Sequence, residues 1–296
     1  MNITKNMEYL RAIPNILVSV SGGESSMLMA KYIKDTVTDR NLHFVFSNTG
    51  KEREETLEFL NECDKRWNLN VVWIQPITYH NERRSSGFEI IDFESADRTG
   101  RPFEEMIKKY GIPNKTRPHC TRELKIRPIQ NYMKSIGLKK SDYFSAIGLR
   151  TDEMNRVSWE RAKKDLQWYP LVTEKMISGK IGISKQDVQQ WWDKQDFKLN
   201  LKSYQGNCDL CWKKSQNKLM TILSESPELL EWWNRMEIEH GTENSYKFYR
   251  ENKSILDLFE TMRAGEFRNV KDDRKKNESM LYFDSLDWEE NCFCSI

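Results

Sequence analysis

The chain has 296 residues, 38% of them hydrophobic and 31% charged, enough to bury one large core or two ordinary ones. With 47 basic and 45 acidic side chains the formal charge is +2, so nucleic acid could be held only by a local basic patch. No window offers the roughly 18 consecutive apolar residues of a membrane span, and Met1 to Arg11 lacks the apolar core of a signal peptide. A reducing, cytoplasmic setting is therefore expected, and the six cysteines are read for metal or redox chemistry rather than for disulfides.

Asn15-Ile-Leu-Val-Ser-Val-Ser21 is a short β-branched run that ends in Gly22-Gly23, the pattern of a buried parallel strand entering a tight turn. Helical spacing follows from Ser25 to Ile33. The alternation continues with a strand at Leu42 to Phe46, a helix at Glu52 to Trp67 and a strand at Asn70 to Ile74, which implies a parallel sheet covered by helices. Between Pro76 and Pro118 the pattern dissolves into polar, turn-rich sequence, read as an active-site loop system in which Arg83, Arg84, Arg98 and Arg101 either line an entrance for a large anion or form a solvated lid. Arg122 to Ile136 predicts a helix and Tyr143 to Ile147 a buried strand. After Pro170 the windows Lys185 to Asp193 and Pro227 to Glu239 are helical, with the pairs Trp191-Trp192 and Trp232-Trp233 expected to pack a smaller domain against its neighbour rather than to stack on bases. The expected organisation is residues 1–175 as a nucleotide-binding α/β domain and 176–296 as a helical, cysteine-bearing domain. Lys271 to Glu278 has the composition of a linker.

Ser21-Gly22-Gly23-Glu24-Ser25-Ser26 sets two glycines and three hydroxyls where strand passes into helix. Glycine admits a ligand close to the backbone, and the helix N-terminus presents N–H groups with partial positive charge, so phosphate is the natural guest. The loop lacks the Gly-Lys-Ser/Thr close of a Walker motif and the spaced glycines of a dinucleotide fingerprint. A serine-capped helix after a glycine turn is the plain alternative.

Four blocks in order resemble the PP-loop superfamily, and within it the phosphoadenosine phosphosulfate (PAPS) reductase-like branch. They are Ser21 to Ser26, Phe46-Ser-Asn-Thr-Gly-Lys-Glu52, Cys120-Thr-Arg-Glu-Leu-Lys125, and Gly148-Leu-Arg150 with Glu153 and Arg156. The resemblance covers roughly residues 15 to 175 and implies a Rossmann-like, adenine nucleotide alpha hydrolase-like parallel sheet with helices on both faces. It implies an adenine nucleotide, ATP or PAPS, held by Ser21, Gly22, Gly23, Ser25 and Ser26, with Asn48, Thr49 and Gly50 completing the crevice. Arg150 and Arg156 would clamp the anionic end, since a guanidinium pairs bidentately with phosphate or sulfate, or else they bridge to Asp152 and Glu153. Where many ATP-using members carry an acidic residue at the fifth loop position, this chain has Ser25. Magnesium accompanying ATP therefore lacks that carboxylate.

Cys208-Asp-Leu-Cys211, preceded by Gly206-Asn207, is a knuckle that can aim two thiolates at one ion. Together with Cys120 and either Cys292 or Cys294 it would supply four ligands to a [4Fe-4S] cluster, as the resemblance suggests, or to a structural zinc. In assimilatory members of the resembling family a tail cysteine attacks a sulfonyl sulfur, so Cys292 or Cys294 is a candidate nucleophile as well as a candidate ligand, and Cys120 and Arg150 are candidate catalytic residues. Cys63, among Leu57, Leu60 and Trp67, is expected in the core. Lys115, Arg117, Arg122, Lys125 and Arg127 surround Cys120 as an anion site or a solvated face, with His119 a secondary acid or base candidate. The expected activity is sulfur or adenylyl transfer, by PAPS reduction or by ATP-dependent thiolation of tRNA or DNA, with a sulfur-donor protein as a further partner and oligomerisation open. A non-catalytic nucleotide-sensing module with zinc is the reading from another class.

Overall fold

The computed structural model describes residues 13–275 except 82, 207 and 242–246. Cys292 and Cys294 lie outside the described residues, as does part of the 271–278 stretch. The elements in chain order are β1 (Asn15–Ser19), α1 (Glu24–Thr36), β2 (Asn41–Ser47), α2 (Glu54–Trp67), β3 (Val72–Ile77), β4 (Gly87–Ile91), α3 (Arg101–Tyr110), α4 (His119–Thr121), a π-helical turn (Arg122–Ile126), α5 (Arg127–Ser135), β5 (Tyr143–Ala146), α6 (Trp159–Lys164), β6 (Gln167–Trp168), α7 (Pro170–Thr173), α8 (Lys185–Trp192), α9 (Gln216–Glu225), α10 (Leu230–His240) and α11 (Ile255–Arg263).

The six strands form one sheet in the order β4-β3-β2-β1-β5-β6. All neighbours are parallel except β3 and β4. Side chains alternate faces with period two. Ile16, Val18, Phe44, Phe46 and Trp73 enter the core shared with α1, α2 and α8, whereas Leu17, Val45 and Ile74 meet Ile129 and Met133 of α5 on the other face. Both faces are thus covered, which is why the strands read as continuous apolar runs. Cys63 is fully buried in the first core, as expected, and burial pushes its thiol pKa up.

The region 76–118 differs from the expected loop system. It holds β4, whose polar, partly exposed edge face (Glu89, and Ile90 exposed) masks strand periodicity, and α3, whose Phe103, Met106 and Ile107 are buried behind a start at Arg101-Pro102. The sheet core also runs on past residue 175, through Ile183, Val188, Trp192, Leu199 and Leu201. A second core begins at Tyr204 and joins α3 to α9, α10 and α11 through Phe103, Leu223, Trp233, Phe248 and Leu258. Each tryptophan pair serves a different core: Trp191 and Trp192 pack with Trp67 and Phe197, and Trp232 and Trp233 with Phe103.

Glu237 of α10 accepts backbone N–H groups from Phe248 at 3.0 Å and Ile255 at 2.8 Å, tying the start of α11 into the second core. Burial nevertheless dominates, and its carboxyl rises from an ordinary 4.5 to about 7. The folded chain thus holds a proton that the unfolded chain releases, so stability is highest below about pH 4.5 for this group and falls as pH rises towards 7. Urea denaturation across that window should show the wild type losing on the order of 2 kcal/mol more than Glu237→Gln; parallel pH profiles would refute the assignment.

Candidate functional site

β1 lies between β2 and β5, so the chain leaves the sheet in opposite directions on its two sides, and the carboxyl ends of these strands frame a crevice. A cleft of about 230 Å³ occupies it, lined by Ser21, Gly23, Ser25 and Ser26 of the loop, Ser47 of β2, and Gly148 and Arg150 beyond β5. The loop is tight. Ser21 donates to Ser26 Oγ through both its backbone N (3.2 Å) and its hydroxyl (3.1 Å), and Ser26 Oγ donates to Gly23 O at 2.8 Å. Gly22 takes φ of +72°, and a Cβ there would stand 2.6 Å from Thr56 Cγ2, so only glycine lets the loop close on α2.

Arg150 Nη1 donates to Ser25 Oγ at 2.9 Å, and the same guanidinium pairs with Asp152 at 2.8 Å. The buried Glu153 carboxylate accepts from Arg150 N at 3.2 Å and pairs with Arg156. Both arginines therefore line the cleft and are held there by acidic neighbours. Lys125, Lys185, Lys202 and Arg274 add positive charge to the lining, against the carboxylates of Glu24 and Glu153. The surplus favours an anionic guest. Lys185, Lys202 and Arg274 were invisible to motif reading, because they come from separate segments of the C-terminal half.

Asn48, Thr49 and Gly50 do not line this cleft. Asn48 is fully buried and donates to Gln75 Oε1 at 3.0 Å and Asp97 O at 2.9 Å, Thr49 Oγ1 donates to Glu52, and Gly50 packs against Asp97 and Gly100. These residues brace the loop after β2, and the crevice is completed by Phe46 and Ser47 instead.

Cys120, Cys208 and Cys211 converge, as expected, on one small pocket of about 20 Å³ that Thr49 and Lys125 also line. Thr49 Oγ1 stands 3.6 Å from Cys208 Sγ. The π turn explains the meeting of Cys120 and Lys125: five residues along an α-helix turn a side chain about 140° away, whereas a π turn bonds i to i+5 and returns it to the same face. Lys125 consequently borders both the thiol pocket and the cleft.

The knuckle is fastened by groups that motif reading passed over. Asp209, between the two cysteines, pairs with Lys51 at 2.9 Å, both nearly buried at 7% and 8% exposure, and accepts from Trp233 Nε1 at 2.8 Å. Lys214 donates to the carbonyls of Gly206 at 2.6 Å and Cys208 at 2.8 Å, and Lys213 to Thr121 Oγ1 at 3.2 Å. A buried lysine behind Asn-Thr-Gly and an acid inside a Cys-x-x-Cys were the available signals.

Other candidates resolve differently. His119 Nε2 donates to Gly111 O at 3.0 Å, and burial lowers its pKa, so it acts as a brace. Lys115, Arg117, Arg122 and Arg127 form an exposed face, with Arg122 paired to Glu123 at 2.7 Å. Arg98 pairs with Glu54 at 2.6 Å, Arg101 with Glu89 at 3.3 Å, and Arg84 lies 3.3 Å over the Tyr79 ring, while Arg83 is exposed.

Residues 15–201 match the family model described as "Phosphoadenosine phosphosulfate reductase domain". The chain is 28% identical over 207 residues to an uncharacterized nin region protein, ORF290, of Escherichia phage lambda, an alignment covering 69% of this chain and 67% of that protein. It is 22% identical over 236 residues to the uncharacterized protein MJ0066 of Methanocaldococcus jannaschii, covering 78% of this chain and 43% of that longer protein.

Asp209→Ala should destabilise the fold by about 3–5 kcal/mol, because it strands the buried Lys51 ammonium. The double variant Lys51→Met, Asp209→Leu should recover most of that loss in urea denaturation. Equal stability of Asp209→Ala and wild type would show the pair to be dispensable.

Proposed function

The chain belongs to the phosphoadenosine phosphosulfate reductase domain family, and from that premise we propose that it is an enzyme that binds an adenine nucleotide in the cleft and performs sulfur or adenylyl transfer at its phosphate end. One observation carries the reading: Lys125 borders the cleft and the thiol pocket at once, so a nucleotide phosphate in the first would lie next to sulfur chemistry in the second. Ser21, Ser25 and Ser26, with the N–H groups of the first turn of α1, would receive phosphate oxygens. Arg150 and Arg156 would orient the anionic end, and Glu153 would keep both guanidinium groups aimed.

The donor set suits a thiolate-held metal group. Cys120, Cys208 and Cys211 provide three thiol donors around one pocket that Lys125 also lines, a donor set that suits a [4Fe-4S] cluster, with zinc as the alternative. When bound, such a cluster would supply electrostatic or redox assistance to the sulfur chemistry. Cys292 or Cys294 would be the fourth ligand or the nucleophile.

With ATP, an oxygen of the acceptor, tRNA or DNA among the candidates, would attack the α-phosphorus and release pyrophosphate, and sulfide-level sulfur from a donor protein would then attack the adenylated centre and expel AMP. With PAPS, a thiolate would attack the sulfate sulfur and expel adenosine 3′,5′-bisphosphate. A thiol reductant would then release sulfite from the cysteine. Incubation with each nucleotide, assayed for pyrophosphate and for sulfite, distinguishes the two. Anaerobically purified protein is expected to contain iron and acid-labile sulfide; stoichiometric zinc without turnover of either nucleotide would favour a nucleotide-sensing module and sink the enzyme reading. Arg150→Ala should weaken nucleotide binding at least tenfold by calorimetry without lowering the melting temperature by more than a few degrees. Unchanged affinity would count against the clamp.

A further inference from the structure

A second cavity, of about 760 Å³, adjoins the cleft, with Ile147 and Arg156 lining both. It shares no lining residue with the thiol pocket, and neither the loop nor the cysteines account for it. Its volume is that of a small-ligand site, for which about 300–1,000 Å³ is usual. Ile147, Leu149 and Tyr169 give it an apolar, partly aromatic floor. Gln167, on the edge strand β6, adds an amide to the wall. Tyr169 Oη donates to Gln167 Oε1 at 2.7 Å, which orients that amide and leaves its Nε2 to donate elsewhere. Such a floor beside an oriented donor suits a planar heterocycle with acceptors on its edge, as an unstacked nucleobase is.

The rim carries what a polynucleotide would need next. Trp159 of α6, between the lining residues Ser158 and Glu160, is 50% exposed and meets Tyr169 edge to face at 6.0 Å. Arg161, Lys163 and Lys164 of the same short helix are exposed, and among the described residues no ion pair engages them. Elsewhere on the surface the comparable cations are taken by carboxylates one turn away, Lys31 by Asp35, Arg66 by Glu62 and Arg235 by Glu239. Three unpaired cations beside an indole form the local basic patch that a chain of formal charge +2 requires to hold phosphates. We propose that the cavity seats one unstacked base of a single-stranded polynucleotide, with Trp159 stacking on the neighbouring base and Arg161, Lys163 and Lys164 receiving the backbone phosphates. RNA and DNA strands share this chemistry. As an acceptor seat the cavity rests on the nucleotide reading above and deepens it, since Arg156 would stand between the acceptor base and the bound nucleotide.

The test is fluorescence anisotropy of the full chain with short labelled RNA and DNA strands and with duplexes of the same sequence, alongside calorimetry with ATP. Single strands should bind more tightly than duplexes, whose paired bases cannot enter the cavity without being flipped out. Trp159→Ala should weaken strand binding about tenfold through the loss of one base stack. The double variant Arg161→Gln, Lys164→Gln should lower the slope of log affinity against log salt by about 1.4, the share of two phosphate contacts on a single strand. Both variants should bind ATP as wild type does and melt within a few degrees of it. A preference for RNA or for DNA supports the seat and names the source of the strand. Strand affinity unchanged in Trp159→Ala, or duplexes bound as tightly as strands, overturns the base seat, and ATP binding then leaves the nucleotide reading standing. Strand binding that Trp159→Ala weakens, in a protein that binds no ATP, overturns the nucleotide reading and leaves the seat.

Discussion

The buried ion pair between Lys51 and Asp209 is the constraint on which the arrangement of the site depends. Lys51 follows the β2 strand and Asp209 sits inside the cysteine knuckle, so one contact joins the sheet to the helical region that carries two thiols. Removing two charges from water is costly, and such a pair stabilises a fold only when its remaining valences are filled. Here they are. Asp209 accepts from Trp233 Nε1, its own N–H donates to Lys51 O at 3.0 Å, and the Lys51 ammonium lies 4.6 Å over the Trp232 ring. Gly100, with φ of +89°, leaves room for this stack, since a Cβ there would stand 2.7 Å from Trp232 and 2.8 Å from Lys51.

Given that fastening, the π turn determines what meets across it. Inserting one residue's worth of extra turn frees backbone carbonyls from the α pattern, and Ser47 Oγ donates to Leu124 O at 2.6 Å, pinning the turn to the end of β2. The strand whose terminus lines the cleft thus also fixes the segment that presents Cys120 and Lys125. Cleft and thiol pocket share a wall because they share these two elements, and displacement of one would be felt in the other.

Much of this was legible in sequence, and the failures have physical causes. The Gly22-Gly23 loop, the parallel alternation and the meeting of Cys120 with Cys208 and Cys211 were readable, because each depends on local backbone needs or on residue types with few other uses. β4 was hidden, since an edge strand pairs on one side only and needs no continuous apolar run. Asn48, Thr49 and Gly50 were assigned to ligand binding by motif position, yet their side chains and backbone are consumed by Gln75, Asp97 and Glu52. A motif marks a place that tolerates little change, and bracing a loop meets that condition as well as touching a ligand does. Lys51 and Asp209 could not be paired from sequence at all, because ion pairs between distant segments leave no periodicity.

The near-neutral total charge conceals how unevenly charge is placed. Lys51, Lys125, Lys213 and Lys214 are all buried near the thiol pocket, at 6–8% exposure, where lysine is rarely found. Asp209 and Glu52 are the carboxylates paired with members of this group, Glu52 at 3.9 Å from Lys125. Burying an ammonium group costs several kcal/mol unless polar partners replace its water. Backbone carbonyls, such as those around Lys214, offset part of that cost without cancelling the charge. Lys51 meets that cost with Asp209, Lys213 with Thr121 Oγ1, and Lys214 with the carbonyls of Gly206, Cys208 and Asp209, so these lysines fasten the knuckle in their own right, and the anionic sulfur of the proposed function would be a further partner.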